Sequence, residues 1–116
     1  MIEEGRVLVA EDRHADLIGV AAIEKMDGEG KFDLARLFVR PFAMRAGIGR
    51  TLFEAAVRLV EIEGGTCLSI LSDPFAEAFY TRLGAVRIGE APSDAVQGRL
   101  LPLLKYVIQN RRTGCD

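Results

Sequence analysis

Residues 37–51 read LFVRPFAMRAGIGRT, and this stretch decides the fold. Its apolar start predicts the end of a strand, and Arg40-Pro41 predicts a short loop. Apolar residues at helical spacing follow the glycines: Ile48, Leu52, Ala56, Leu59 and Val60. The stretch therefore predicts a strand, a loop and a glycine-rich turn that opens a helix.

The glycine-rich turn has the properties of a phosphate site. The first turn of a helix has unpaired N–H groups and the positive end of the helix dipole. Gly47 and Gly49 remove side chains that would keep an anion away. This region also carries four arginines and no acid, in a chain of net charge −2: Arg36, Arg40, Arg45 and Arg50. We expect a phosphate or pyrophosphate cradle; the alternative is a solvated helix start with surface arginines.

Two common phosphate motifs do not fit this turn. A P-loop requires glycine where the chain has Met44 and lysine where it has Arg50. A Rossmann fingerprint requires a third glycine where the chain has Leu52. It also requires a tight turn directly after the strand, where the chain has a loop containing Pro41.

The turn resembles the coenzyme A pyrophosphate loop of GNAT-type N-acetyltransferases, whose signature is Gln/Arg-x-x-Gly-x-Gly/Ala. Here the signature spans Met44–Gly49; Met44 departs from it, and the adjacent Arg45 could supply the charge. A second block, SDPFAEAFYTRLGA at 72–85, resembles the family's fourth helix with its Phe-Tyr-x-x-x-Gly ending. The resemblance covers Gly5 to Ile108.

The order of predicted elements gives an α+β fold, with a mixed and mostly antiparallel sheet around a central β-α-β unit. Strands are predicted at Arg6–Glu11, Leu17–Glu24, Phe32–Val39, Thr66–Leu71, Ala85–Gly89 and Leu100–Ile108, with helices at Gly47–Glu63 and Pro74–Leu83. Asp73 is expected to cap the second helix, and Phe75 and Phe79 to anchor it in the core. We expect one GNAT-like domain over residues 1–116, a short form without the family's usual first strand and two helices.

The resemblance implies acetyl transfer from acetyl-CoA to a primary amine by direct attack. Tyr80 would be the general acid for the CoA thiolate, since a tyrosine of pKa ~10 stays protonated where a thiol of pKa ~8.5 titrates. Asp33 is the candidate base, because it precedes Leu37 by four residues, a spacing at which some family members place a glutamate base, and on a regular strand the two share a face. The alternative is that the amine loses its proton through water. The expected CoA contacts are Leu37, Phe38, Val39, Arg45, Ala46, Gly47, Ile48, Gly49, Arg50, Thr51, Asp73, Ala76 and Phe79.

Composition bounds the remaining possibilities. With one histidine and two cysteines, the chain has no ligand set for zinc. The mild negative charge argues against nucleic acid as partner, and no apolar run is long enough for a membrane span. We expect no disulfide between Cys67 and Cys115 and a cytoplasmic protein.

The partners implied are a coenzyme A thioester, an amine that the sequence does not name, and a second copy of the chain. The homodimer is expected because the missing first strand would leave a sheet edge open. The alternative function is a non-catalytic acyl-CoA-binding or oligomerisation module derived from a GNAT core.

Overall fold

The computed structural model describes residues 5–93 and 97–108. The side chain of Arg45 and the whole of Cys115 lie outside this described part. The strands are β1 (Gly5–Glu11), β2 (Leu17–Lys25), β3 (Lys31–Val39), β4 (Cys67–Leu71), β5 (Val86–Pro92) and β6 (Leu100–Val107). The helices are a 3-10 helix (Pro41–Ala46), α1 (Ile48–Ile62) and α2 (Glu77–Arg82).

The six strands form one sheet in the order β1-β2-β3-β4-β6-β5. The β3 and β4 strands are parallel and are joined by α1, whereas every other neighbouring pair is antiparallel. The predicted α+β fold with a central β-α-β unit is therefore confirmed.

The core lies between α1 and one face of the sheet. Leu52, Phe53, Ala56 and Val60 are the buried residues of α1, and their spacing places them on one side of the helix. Phe53, Ala56 and Val60 belong to one buried cluster with strand residues such as Ile23 and Leu68. Phe53 is only 1% exposed, so truncating it to alanine should cost about 3–5 kcal/mol.

The second helix begins later than the sequence predicts. Residues 74–76 form turns and α2 starts at Glu77. Asp73 Oδ1 accepts a hydrogen bond of 2.7 Å from the Phe75 N–H, so the carboxylate caps this turn. The prediction that Asp73 caps the helix itself is wrong, because Ala76 stands at the helix cap.

Cys67 is disulfide-bonded in the structure, so the prediction of unpaired cysteines is wrong. Cytoplasmic localisation relied partly on that expectation and stays a prediction without this support. Among the described residues, no helix combines the length and apolar character needed to cross a membrane.

Candidate active site

The central feature of the sheet is a gap between its two parallel strands. The β3 and β4 strands pair only over Lys31–Asp33 and Cys67–Ser69, after which β3 continues to Val39 beside β2 alone. A cleft of about 780 Å³ opens there. It is lined by the end of β3, the region around the start of α1, and α2 with the turn before it: Leu37, Phe38, Val39, Met44, Gly49, Asp73, Phe75, Ala76, Ala78, Phe79, Tyr80 and Arg82.

The end of β3 offers backbone groups to this cleft. The Arg40 N–H donates to the Ile18 carbonyl on β2 at 2.9 Å. Because N–H and C=O groups alternate sides along a strand, those of Leu37 and Val39 point away from β2 and into the gap. An extended ligand arm can pair with them as a missing strand would.

The start of α1 has backbone donors available for a ligand. The first hydrogen bond of the helix runs from the Thr51 N–H to the Gly47 carbonyl at 3.0 Å. The N–H groups of Ile48, Gly49 and Arg50 precede that bond, and the first turn contains no acid. This arrangement suits a phosphate group.

The two glycines have different roles. Gly47 adopts φ 80° and ψ 13°, the left-handed conformation that glycine tolerates, and a Cβ there would meet no atom within 4 Å. A Cβ on Gly49 would lie 3.3 Å from Phe79 Cζ. Gly49 therefore makes room for α2, a role that the sequence does not predict.

Two arginines of the basic region form hydrogen bonds within the chain, so their side chains are less available to a ligand than the sequence predicts. Arg40 Nε donates to the Leu17 carbonyl at 2.7 Å, which ties the end of β3 to β2. Arg50 Nε donates to Glu54 Oε2 at 3.0 Å, one turn along α1. Met44, the residue that departs from the loop signature, lines the cleft with an apolar side chain.

Tyr80 lies on the opposite wall of the cleft. It is 7% exposed, and its ring packs against Phe53 and edge-on against Phe79. Its hydroxyl makes no hydrogen bond within the described part of the chain. Burial raises its pKa to about 12, so the hydroxyl keeps its proton over the physiological range. Ala76, one turn earlier, also lines the cleft and leaves space beside this hydroxyl.

Asp33 does not stand where the regular-strand argument places it. The β2–β3 register passes from Ala22↔Arg36 to Ile23↔Leu34, so Ala35 is an extra, bulged residue. The bulge puts Leu37 on the core face with Leu34, and Asp33 on the opposite face. The premise that Asp33 and Leu37 share a face is wrong. Asp33 lies at the closed end of the gap: it pairs with Glu24 whereas Leu37 pairs with Ala21, a separation of three positions or about 10 Å along the sheet.

The structure thus brings most of the predicted site residues to one cleft. Ala46, Gly47, Ile48, Arg50 and Thr51 lie beside it at the start of α1, outside the set that lines it. Phe75, predicted to be a core anchor, is 94% exposed and lines the cleft, because it belongs to the turn and not to α2.

Sequence reasoning missed Ala78 and Arg82 as cleft residues. Both belong to α2, and Arg82 follows Ala78 by four residues, the helical spacing that places two side chains on one side.

Comparison with known proteins identifies the family. A family model described as an acetyltransferase (GNAT) domain matches residues 3–84. The chain belongs to the GNAT acetyltransferase family. It is therefore an acetyltransferase-type protein, and the resemblance seen in the loop and in α2 is confirmed. No curated protein sequence matches the chain.

Several solved structures share the GNAT fold of this chain. Nourseothricin acetyltransferase superposes with a TM-score of 0.81 at 20% identity, over 90% of this chain and 66% of that one. An aminoglycoside 6′-N-acetyltransferase complexed with coenzyme A superposes with a TM-score of 0.78 at 17% identity, over 95% of this chain and 76% of that one. A GNAT-family acetyltransferase from Staphylococcus aureus Mu50 superposes with a TM-score of 0.77 at 15% identity, over 91% of this chain and 69% of that one. Because these sequence identities are low, the structural similarity establishes the shared fold alone.

Proposed function

We propose that this GNAT protein transfers an acetyl group from acetyl-CoA to a primary amine by direct attack. One observation carries the proposal: a single cleft has a helix N-terminus at its entrance, strand backbone along one wall and a protonated tyrosine on the other. A nucleotide thioester has a group for each position, namely a pyrophosphate, an amide-bearing arm and a sulfur leaving group.

The residues present fit that ligand. The first-turn N–H groups of Ile48, Gly49 and Arg50 suit the pyrophosphate, and Gly47 lets the chain turn sharply before them. The backbone of Leu37 and Val39 suits the amide groups of the arm. Ala76 and Phe79 complete the opposite wall. Bound acetyl-CoA supplies an activated acetyl thioester.

The transfer requires a neutral amine. Its nitrogen forms a bond to the acetyl carbon, the carbon–sulfur bond breaks, and the sulfur leaves as a thiolate. The leaving thiolate takes a proton from the Tyr80 hydroxyl, the amine nitrogen gives up a proton to solvent, and the Tyr80 phenolate regains a proton from solvent.

The high pKa of Tyr80 is compatible with this role. Desolvation disfavours every anion, so a thiol enclosed beside Tyr80 would have a raised pKa as well. Positioned acids of this kind contribute about 10²–10⁴-fold to the rate.

Asp33 is a weaker candidate for the base. Because Asp33 lies about 10 Å along the sheet from Leu37 and on the opposite face, its carboxylate is better placed to act through water than by direct contact. An amine of ordinary pKa loses its proton to water without a dedicated base.

We further propose that the chain forms a homodimer through β1. Within the described residues β1 has a neighbouring strand on one side only. A groove runs beside this edge, and Ile62 in it is 71% exposed. Its lining is mainly apolar with two charged residues: Leu8, Glu54, Ala55, Arg58, Leu59 and Ile62. Unpaired strand edges beside apolar surface favour pairing with another copy.

Calorimetry with acetyl-CoA, followed by an assay of CoA release with a panel of primary amines, tests the proposed function. Binding followed by amine-dependent release supports it. Binding without transfer to any amine supports the non-catalytic alternative, and no binding overturns both.

A further inference from the structure

The cleft is accessible from both faces of the sheet. Leu37, Phe38 and Val39 are consecutive, and all three line it. Because neighbouring strand side chains point to opposite faces, Leu37 and Val39 reach it from the side of α1 and Phe38 from the other side. The pyrophosphate position lies at α1. The acceptor therefore enters through the mouth of the cleft on the other face of the sheet, beside Phe38.

Strand pairing places further apolar side chains next to Phe38, on the outer side of that mouth. Val9 pairs with Val20, and Val20 pairs with Phe38. Directly paired residues share a face, so these three side chains form one row across β1, β2 and β3. We call it the valine–phenylalanine strip.

The strip lies on the face that carries no described helix. A Cβ on Gly19 would lie 2.8 Å from Leu52 Cδ1 of α1, so Gly19 faces α1 and its neighbour Val20 faces away. Val9 is 56% exposed and Phe38 57% exposed. Two exposed apolar side chains, with the partly buried Val20 between them, thus lie in line with the cleft, a pattern that marks a binding surface.

Charge on this face disfavours one class of acceptor. Arg36 pairs with Ala22 and stands two residues before Phe38, about 7 Å away along the strand. Arg40 stands at the same spacing on the other side of Phe38, so two guanidinium groups flank it, whereas Asp33 and Glu11 lie further along their strands. Asp73 and Arg82, which line the cleft from its other wall, add one charge of each sign. A polycationic amine would meet repulsion at this mouth, and an apolar amine would not.

We infer that the acceptor is a primary amine carried on an aromatic or branched apolar body with no second cation. The strip holds the apolar body and directs the amine through the gap to the thioester. Phe38 is then a specificity-determining residue. This inference rests on the proposed function and narrows it to one substrate class.

The test uses 2-phenylethylamine as the apolar probe and spermidine and kanamycin as polycationic probes. We expect kcat/KM for 2-phenylethylamine to exceed that for either polycation by about tenfold or more. Phe38→Ala should lower kcat/KM for 2-phenylethylamine by about tenfold, mainly through KM, and leave the acetyl-CoA Kd within about threefold.

Phe42→Ala is the matched control. Phe42 is 73% exposed and close in sequence to the strip, but it does not line the cleft. It should change kcat/KM by less than about twofold. Arg36→Glu should raise kcat/KM for spermidine by about fivefold or more, whereas Arg99→Glu, exposed just before β6 and outside both the cleft and the groove, should not.

The outcomes are distinguishable. Preference for a polycation, an effect of Phe42→Ala as large as that of Phe38→Ala, or acetyl-CoA binding with no transfer to 2-phenylethylamine overturns the inference. A rate per chain that falls as protein concentration rises also overturns it, because another copy would then cover the strip. Failure of acetyl-CoA to bind instead overturns the proposed function.

Discussion

The rings of Tyr80 and Phe53 pack together, with centroids 5.9 Å apart and planes inclined at 55°. Phe53 follows Gly49 by one turn of α1, so this contact links the helix start that would hold a pyrophosphate to the tyrosine on α2. The same phenylalanine ring meets Tyr106 edge-on at 5.3 Å. The chain therefore contains two tyrosines against one ring, of which only Tyr80 lines the cleft.

Tyr80→Phe should slow acetyl transfer and keep acetyl-CoA affinity. The change removes the hydroxyl proton and leaves the ring in place, so we expect kcat to fall by about 10²–10⁴-fold. The matched control is Tyr106→Phe, which alters a tyrosine on the same phenylalanine outside the cleft. Calorimetry gives the affinity and CoA release gives kcat; equal rates in the two variants would remove Tyr80 from the mechanism.

The stability of the folded chain should depend on Tyr80 at alkaline pH. Burial raises its pKa from 10.0 to about 12, so between these values the unfolded chain releases a proton that the folded chain retains. The resulting contribution is complete below pH 10 and decreases as pH rises, by about 1.4 kcal/mol at pH 11. Urea unfolding at about pH 9 and pH 11 should therefore give a smaller loss for Tyr80→Phe than for the wild type. Equal losses in both proteins would contradict the buried hydroxyl.

Gly49→Glu should abolish acetyl-CoA binding. The carboxylate would stand beside the first-turn donors, and a Cβ at this position already lies 3.3 Å from Phe79 Cζ. Losing one charge-assisted hydrogen bond predicts about a tenfold or greater rise in Kd. Gly89→Glu provides the control, since its Cβ meets no atom within 4 Å and it lies on β5. Calorimetry that finds both variants equally able to bind would exclude the cradle at α1.

Asp33→Asn should reduce kcat by less than about tenfold, because the bulge at Ala35 places Asp33 away from Leu37 and a direct general base would contribute 10²–10⁴-fold. The pH–rate profile of this variant should keep the same rising limb as the wild type, set by the pKa of the amine. A drop of a thousandfold, or loss of that limb, would instead establish Asp33 as the base.

Ile62→Asp should shift the chain from dimer to monomer in sedimentation at micromolar concentration. Ile62 is 71% exposed in the groove beside the open edge of β1, and a carboxylate there would lose its hydration when the second copy covers it. Phe42→Asp introduces the same charge at a residue that is 73% exposed away from that groove and should remain dimeric. A monomeric wild type would rule out the interface.

The sequence by itself determined the order of the elements and the family. Helical spacing from Ile48 to Val60 predicted α1, and the glycine pair with the Phe79-Tyr80 block identified the GNAT loop and the helix behind it. These features are local: each depends on hydrophobic periodicity or on turn chemistry within about 15 residues. For the same reason the central parallel unit could be predicted, since a strand, a helix and a strand close in sequence have one favoured handedness.

Only the tertiary structure decided how the side chains face the cleft. The bulged Ala35 reverses the alternation of β3 and separates Asp33 from Leu37, and a bulge depends on the pairing of two strands. The late start of α2 leaves Phe75 in solvent, because helical periodicity applies only where the helix has begun. The alignment of Val9 and Val20 with Phe38 follows from register between strands that are distant in sequence, which no local pattern specifies.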